Sequence, residues 1–152
     1  MRKSTRPVTK EEPGKKSDKP KVVLDTNVIV SALLSPEGTA AQILSLFSFD
    51  AIQVCYDKAV LSEYEVVMTR PKFKAKITHK MVCSVLEPLK ENGLSYEIPA
   101  ASVFPMQDES DRVFYDVAKT AGAFLVTGNK KHYPDESFIV TPRDFMDTLI
   151  NS

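Results

Sequence analysis

The sequence predicts an α/β domain whose mainly parallel sheet carries helices on both faces. Three observations lead there. Short apolar runs at residues 21–25, 51–55, 123–127 and 137–141 read as strands, three of them with the unbroken apolar pattern of strands buried on both sides. Segments with helical spacing of apolar residues separate these runs, and strand–helix alternation implies parallel pairing. Residues that favour helix boundaries stand where the pattern changes.

Taken in order, Lys21-Val22-Val23-Leu24-Asp25 is an apolar run that ends in an acid. Residues 28–34 read as a helix that stops near Ser35 and Pro36, and residues 37–49 as a second one built on Ile43, Leu44, Leu46 and Phe47. After the strand at 51–55, Asp57 can cap a helix that runs to about Arg70, just before Pro71. Residues 78–92 form the next helix, and Gly93 is expected at its end in left-handed geometry. Asp108 opens a helix through Thr120 that Gly122 closes. Beyond the strands at 123–127 and 137–141, Pro142 suits the first turn of a last helix that ends near Ile150.

The 152 residues suffice for one domain, and 43% hydrophobic with 26% charged composition allows a substantial core. No apolar stretch approaches a membrane span, and the N-terminus lacks a secretory apolar region, so a cytoplasmic protein is expected. Cys55 and Cys83 lack metal-ligand spacing and read as buried free thiols. The zero net charge hides a split: residues 1–20 carry seven Lys/Arg against three Asp/Glu, and residues 21–152 thirteen against seventeen. The first segment, with three prolines and little apolar content, is expected to be a disordered basic tail, and residues 21–152 the domain. A mildly acidic domain does not attract a polyanion as a whole, so local sites must carry any such function.

In parallel sheets, ligands bind at the carboxyl ends of strands where the strand order reverses. That rule points to Asp25 and to Thr127-Gly128-Asn129. Asp25 alone is either a helix cap or a ligand. On the helix after Asp57, Glu63 and Glu65 fall on opposite borders of the apolar stripe, and the pattern does not choose between them. Asp111 borders the stripe of the helix that Asp108 opens, with Asp108 on the same side and Asp116 toward the polar face. Acids gathered at strand ends repel one another unless a cation neutralises them, and an oxygen-only donor set suits Mg²⁺ or Mn²⁺. A Cys/His set for zinc is not evident, and His79 and His132 stand isolated.

Four segments, Val23-Leu24-Asp25-Thr26-Asn27-Val28, Leu61-Ser62-Glu63, Asp108-Glu109-Ser110-Asp111-Arg112-Val113-Phe114 and Leu125-Val126-Thr127-Gly128-Asn129-Lys130-Lys131-His132, resemble in order and interval the PIN-domain nucleases, above all the toxin components of bacterial toxin–antitoxin pairs. The resemblance spans about residues 21–150 and implies a single three-layer α/β/α PIN-like domain. It places the family's catalytic acids on Asp25, Glu63 and Asp111, an accessory acid on Asp108, and the fourth metal-site position, often Asp, on Asn129. Asn27 and Thr127 become supporting polar groups, while Lys130, with Lys131, Arg70, Lys72, Lys74 and Lys76, is positioned to contact the RNA backbone. The implied activity is Mg²⁺- or Mn²⁺-dependent endoribonuclease action on single-stranded RNA, with a small antitoxin as partner and a homodimer as assembly.

Asn129 weakens any second metal position and, with the acidic charge of the domain, slightly favours an alternative, a PIN fold reduced to an RNA-binding or protein-interaction module, which the retained Asp25, Glu63 and Asp111 oppose more strongly. A dehalogenase-type phosphatase would need a second carboxylate where Asn27 stands. A receiver domain would need an acidic pair before its first helix.

Overall fold

The computed structural model describes residues 19–151. Its five strands, β1 (Lys21–Leu24), β2 (Gln53–Tyr56), β3 (Leu94–Ser95), β4 (Phe124–Val126) and β5 (Ile139–Val140), form one sheet in the order β3-β2-β1-β4-β5. Every pairing is parallel. Six helices surround it: α1 (Thr26–Leu34), α2 (Thr39–Ser48), α3 (Lys58–Met68), α4 (His79–Asn92), α5 (Arg112–Ala121) and α6 (Pro142–Ile150). The result is a single three-layer α/β/α domain, as its sequence predicts.

Burial explains the strand pattern. Val22, Val23, Leu24, Val54, Cys55, Leu125 and Val126 are all sealed from solvent, because helices cover both faces and no side of these strands tolerates a polar residue. The α5 helix lies against β1, β2 and β4, with Phe114 and Val117 in the core. The α1 and α2 helices pack on one another, α2 meets α6, and Phe145 of α6 is fully buried against Phe124. The α3 helix touches both α1 and α5. Its Tyr64, fully buried, donates from its hydroxyl to the Leu24 carbonyl at 2.6 Å and so ties α3 to the carboxyl end of β1.

Local chemistry sets the helix boundaries. Asp57 accepts from the Val60 amide at 2.8 Å and caps α3, Thr78 caps α4 by accepting from Met81, and Thr141 caps α6 by accepting from Asp144. Gly122 closes α5 at φ 65°, the left-handed conformation that glycine adopts without a Cβ penalty. Gly93 departs from expectation. Its φ of −75° is ordinary, and its need is space: a Cβ there would lie 2.6 Å from the Leu89 carbonyl oxygen and 2.9 Å from the Tyr56 ring. The chain thus enters β3, a two-residue strand too short to leave a sequence pattern, in close contact with β2.

Three other expectations change. Glu109–Asp111 form a 3₁₀ turn, capped by Asp108, ahead of α5 rather than its first turn. Asp116 does not face solvent: it is 9% exposed and accepts from the Ser102 amide at 3.1 Å, because the segment between β3 and α5 folds over the polar side of that helix. Cys55 is buried as expected, but Cys83 is only half-buried. Of the segment read as a basic tail, residues 1–18 lie outside the described residues. Lys19 and Pro20 touch the domain, through a 2.8 Å ion pair with Asp50 and a 2.8 Å hydrogen bond from the Gln53 amide to the Pro20 carbonyl. Among the described residues, no single helix is long and apolar enough to cross a membrane.

Candidate active site

The chain runs outward from β1 to β2 and β3, then returns to β4 and β5, so the strand order reverses between β1 and β4. Leu24 pairs with Val126, which places Asp25 beside Thr127 where both strands end. The Asp25 amide donates to the Val126 carbonyl at 3.0 Å. Backbone pairing therefore fixes the first site residue.

Asp25 is 6% exposed and well supplied with donors. Its Oδ2 accepts from the Thr127 hydroxyl at 2.7 Å and from the Tyr133 hydroxyl at 3.3 Å. Its Oδ1 receives only a long 3.4 Å contact from the Asn27 amide as it caps α1. Thr127, fully buried, accepts in turn from the Asn129 amide at 3.0 Å, so one hydroxyl links the first acid to the turn after β4. Burial first, and then the charges of Asp25 and Asp111, push the Tyr133 hydroxyl far up; burial and Asp25 do the same to Tyr64. Both phenols are therefore neutral hydrogen-bond donors at any working pH.

Asp111 is in the opposite condition. Its side chain is 13% exposed, and its Oδ2 is closed to solvent without a hydrogen-bond partner. His132 Nδ1 lies 3.5 Å away, a long separation for a hydrogen bond. Desolvation, then the charges of Asp25 and Asp108, push this carboxyl up to about 6, against a smaller opposing effect of His132. Asp108 is exposed, and hydrogen bonds from the Ser110 hydroxyl and amide, at 2.8 and 3.0 Å, hold its carboxyl below the usual range.

Asp25, Asp111, Asp108, Thr127 and the backbone of Asn129 thus share one neighbourhood. The Asn129 side chain is exposed and makes no capping bond to the 3₁₀ turn that it precedes, and Lys130 in that turn is exposed. Asn27 is exposed and contributes only its amide. Glu63 is half-buried while Glu65 is exposed, so the more sheltered of the two candidate glutamates is Glu63; no hydrogen bond or ion pair ties Glu63 to the aspartates. Sequence reasoning missed Tyr133 and set His132 aside. Both arrive through the 3₁₀ turn Lys130–His132, whose direction no apolar periodicity encodes.

A family model described as PIN domain matches residues 21–131, most of the chain, including Asp25, Glu63, Asp108, Asp111, Thr127 and Asn129. The chain belongs to the PIN-domain family. PIN domains are generally nucleases, and PIN nucleases generally use divalent metals. The chain is also similar to Uncharacterized protein MJ1680 of Methanocaldococcus jannaschii, 29% identical over 111 residues, which cover 72% of this chain and 71% of that protein. The crystal structure of VapBC2 from Rickettsia felis bound to a promoter DNA fragment is similar in fold, with a TM-score of 0.50 and 19% identity over 73% of this chain and 89% of that one.

The donor set of this PIN domain fits a divalent ion. Among the described residues no three His, Cys, Asp or Glu side chains are grouped closely enough to hold a metal unaided. Mg²⁺, however, commonly takes only one or two carboxylates and completes its shell with water and phosphate. The orphaned, desolvated oxygen of Asp111 and the lightly engaged Oδ1 of Asp25 are two such groups.

Proposed function

We propose that this PIN domain is a Mg²⁺- or Mn²⁺-dependent endoribonuclease that cleaves single-stranded RNA, acting as the toxin of a toxin–antitoxin pair. The observation that carries the reading is the Asp111 oxygen, buried without a partner beside a second aspartate at the strand-order reversal. A buried acceptor left empty costs about 1–3 kcal/mol, more if charged, and a cation removes that cost.

Asp25 and Asp111 would hold the ion, which when bound supplies Lewis acidity and a water acidic enough to attack phosphorus. The protein's own groups do the rest. Thr127 and Tyr133 hold Asp25 Oδ2, so that Oδ1, with only the long Asn27 contact, would be the oxygen available to the ion. Glu63, on the sheltered side of α3, orients the attacking water, and Asp108 adds negative charge at the rim. Asn129 presents an amide where many relatives have an acid, so a second ion binds weakly. Lys130 and Lys131 flank the site, and Arg70, Lys72, Lys74 and Lys76 form an exposed basic strip after α3, without an acid between Glu65 and Glu87. Such a strip contacts phosphates whatever the base sequence. The likeness to the VapBC2 structure supports a small antitoxin partner, and the family resemblance a homodimer in the cytoplasm.

The test is cleavage of a single-stranded RNA panel. Activity is expected with Mg²⁺ or Mn²⁺ and is abolished by EDTA. Full activity in chelator would overturn the metal reading. Salt-sensitive RNA binding without cleavage in any divalent ion would favour the binding module that Asn129 also suits.

A further inference from the structure

Away from the acids, α4 carries a pair of different chemistry. His79 is the first residue of α4 and Cys83 stands four residues on, so helix geometry places them on one face. Cys83 Sγ lies 3.4 Å from His79 Nε2. The imidazole is exposed and the thiol half-exposed. Cys55 is the contrasting case, fully sealed, with burial pushing its thiol up to about 12.

That separation has a chemical meaning. A sulfur and an imidazole nitrogen bound to one tetrahedral zinc, at about 2.3 and 2.0–2.1 Å from the metal, stand about 3.5 Å apart. The thiol–imidazole hydrogen bond, at 3.4 Å, holds the two donor atoms at nearly that separation, and a bound ion would replace it. Glu87, one turn beyond Cys83, puts an exposed carboxylate on the same side of the helix.

We propose that His79 and Cys83 form a bidentate site for a thiophilic divalent cation of the Zn²⁺ and Cd²⁺ class, with water in the remaining positions. On binding, Cys83 releases its proton to solvent and ligates as thiolate. His79 donates the Nε2 lone pair and keeps its proton on Nδ1. This site uses sulfur, whereas the crevice at Asp25 and Asp111 offers oxygen, so the two select different ions. The proposal does not depend on nuclease activity.

Titration of the full chain with Cd²⁺, read by near-ultraviolet sulfur-to-cadmium charge-transfer absorption, tests it. One equivalent should saturate the band, and added Zn²⁺ should bleach it. Cys83→Ser should abolish it, His79→Gln should weaken apparent affinity at least about tenfold, and Asp111→Asn should leave it unchanged. Circular dichroism of the two α4 variants should match the parent chain, since neither side chain belongs to the core. Absence of the band in the parent chain, its survival in Cys83→Ser, or undiminished affinity in His79→Gln would overturn the proposal.

Discussion

Asp25 and Asp111 are near enough for their charges to interact, yet they are built on opposite principles. Asp25 grows out of a central strand, is nearly buried, and has hydroxyl donors from two other segments directed at one oxygen. Asp111 sits in a 3₁₀ turn, also sheltered, with a buried oxygen that accepts no hydrogen bond and has the His132 imidazole 3.5 Å away. The first acid is hydrogen-bonded within the fold, and the second has only the distant imidazole of His132. Burial alone therefore does not set an acid's contribution to stability; the donors around it do. Uniform repulsion among clustered acids, the simplest expectation from sequence, would treat the two alike.

The sharpest way to break this comparison is to neutralise each acid in turn. On the proposed mechanism, both Asp25→Asn and Asp111→Asn should reduce RNA cleavage by about 10²-fold or more, since each removes a charge that would hold the ion. Their effects on metal-free stability should have opposite signs. Asp25→Asn places an amide NH₂ where an acceptor stood and should lose about 1–3 kcal/mol in denaturant unfolding. Asp111→Asn removes an unpaired desolvated charge and should hold stability or raise it. Shifts of the same sign would end the distinction between a satisfied and an unsatisfied acid.

A smaller effect isolates the donor side. Thr127→Val keeps the shape, removes the hydroxyl from Asp25 Oδ2, and leaves the Asn129 amide without its acceptor. It should destabilise the metal-free protein by about 1–3 kcal/mol and reorient the turn that carries Asn129 and Lys130. In the Asp25→Asn background the same change should cost measurably less, because the bond it removes is already altered. Full additivity would show that Thr127 supports the fold without acting through Asp25.

Much of this was legible in the sequence, for reasons that differ by region. The β1 and β4 strands declare themselves because burial on both faces demands unbroken apolar runs, and their ends locate Asp25 and Thr127 once parallel order is inferred. Asp57, Thr78 and Pro142 mark helix starts through local hydrogen bonding that any sequence reading can use. What stayed hidden depends on long-range packing. Asp116 looks solvent-facing until the loop holding Ser102 covers it, and Gly93 looks like a left-handed cap until Tyr56 is seen against it. Tyr133 was invisible as a site residue because its hydroxyl reaches Asp25 across 108 positions of chain. The His79–Cys83 pair did carry a signal, four-residue spacing on one helix, that a search for longer zinc motifs passes over.

The least effect, and the most specific, is in pH dependence. The Asp111 carboxyl is pushed up from 3.8 to about 6 in the fold. Between these values the folded protein retains a proton that the unfolded chain has lost. The folded state then binds more protons, so this group's contribution to stability is complete below about pH 4 and is lost as pH rises toward 6. Asp108, Glu109 and Glu136, whose carboxyls are held below their usual range, act in the other direction and mask the trend in the whole protein. The difference between the parent chain and Asp111→Asn removes that background. Without divalent ions, the variant's unfolding free energy should run increasingly above the parent's from pH 4 to 6, then parallel to it. Added Mg²⁺ should stabilise the parent most above pH 6, where Asp111 is ionised, and should narrow the gap there. A gap of constant size across the whole range would show that the Asp111 oxygen is not held in the desolvated, unpaired state on which the contrast with Asp25 rests.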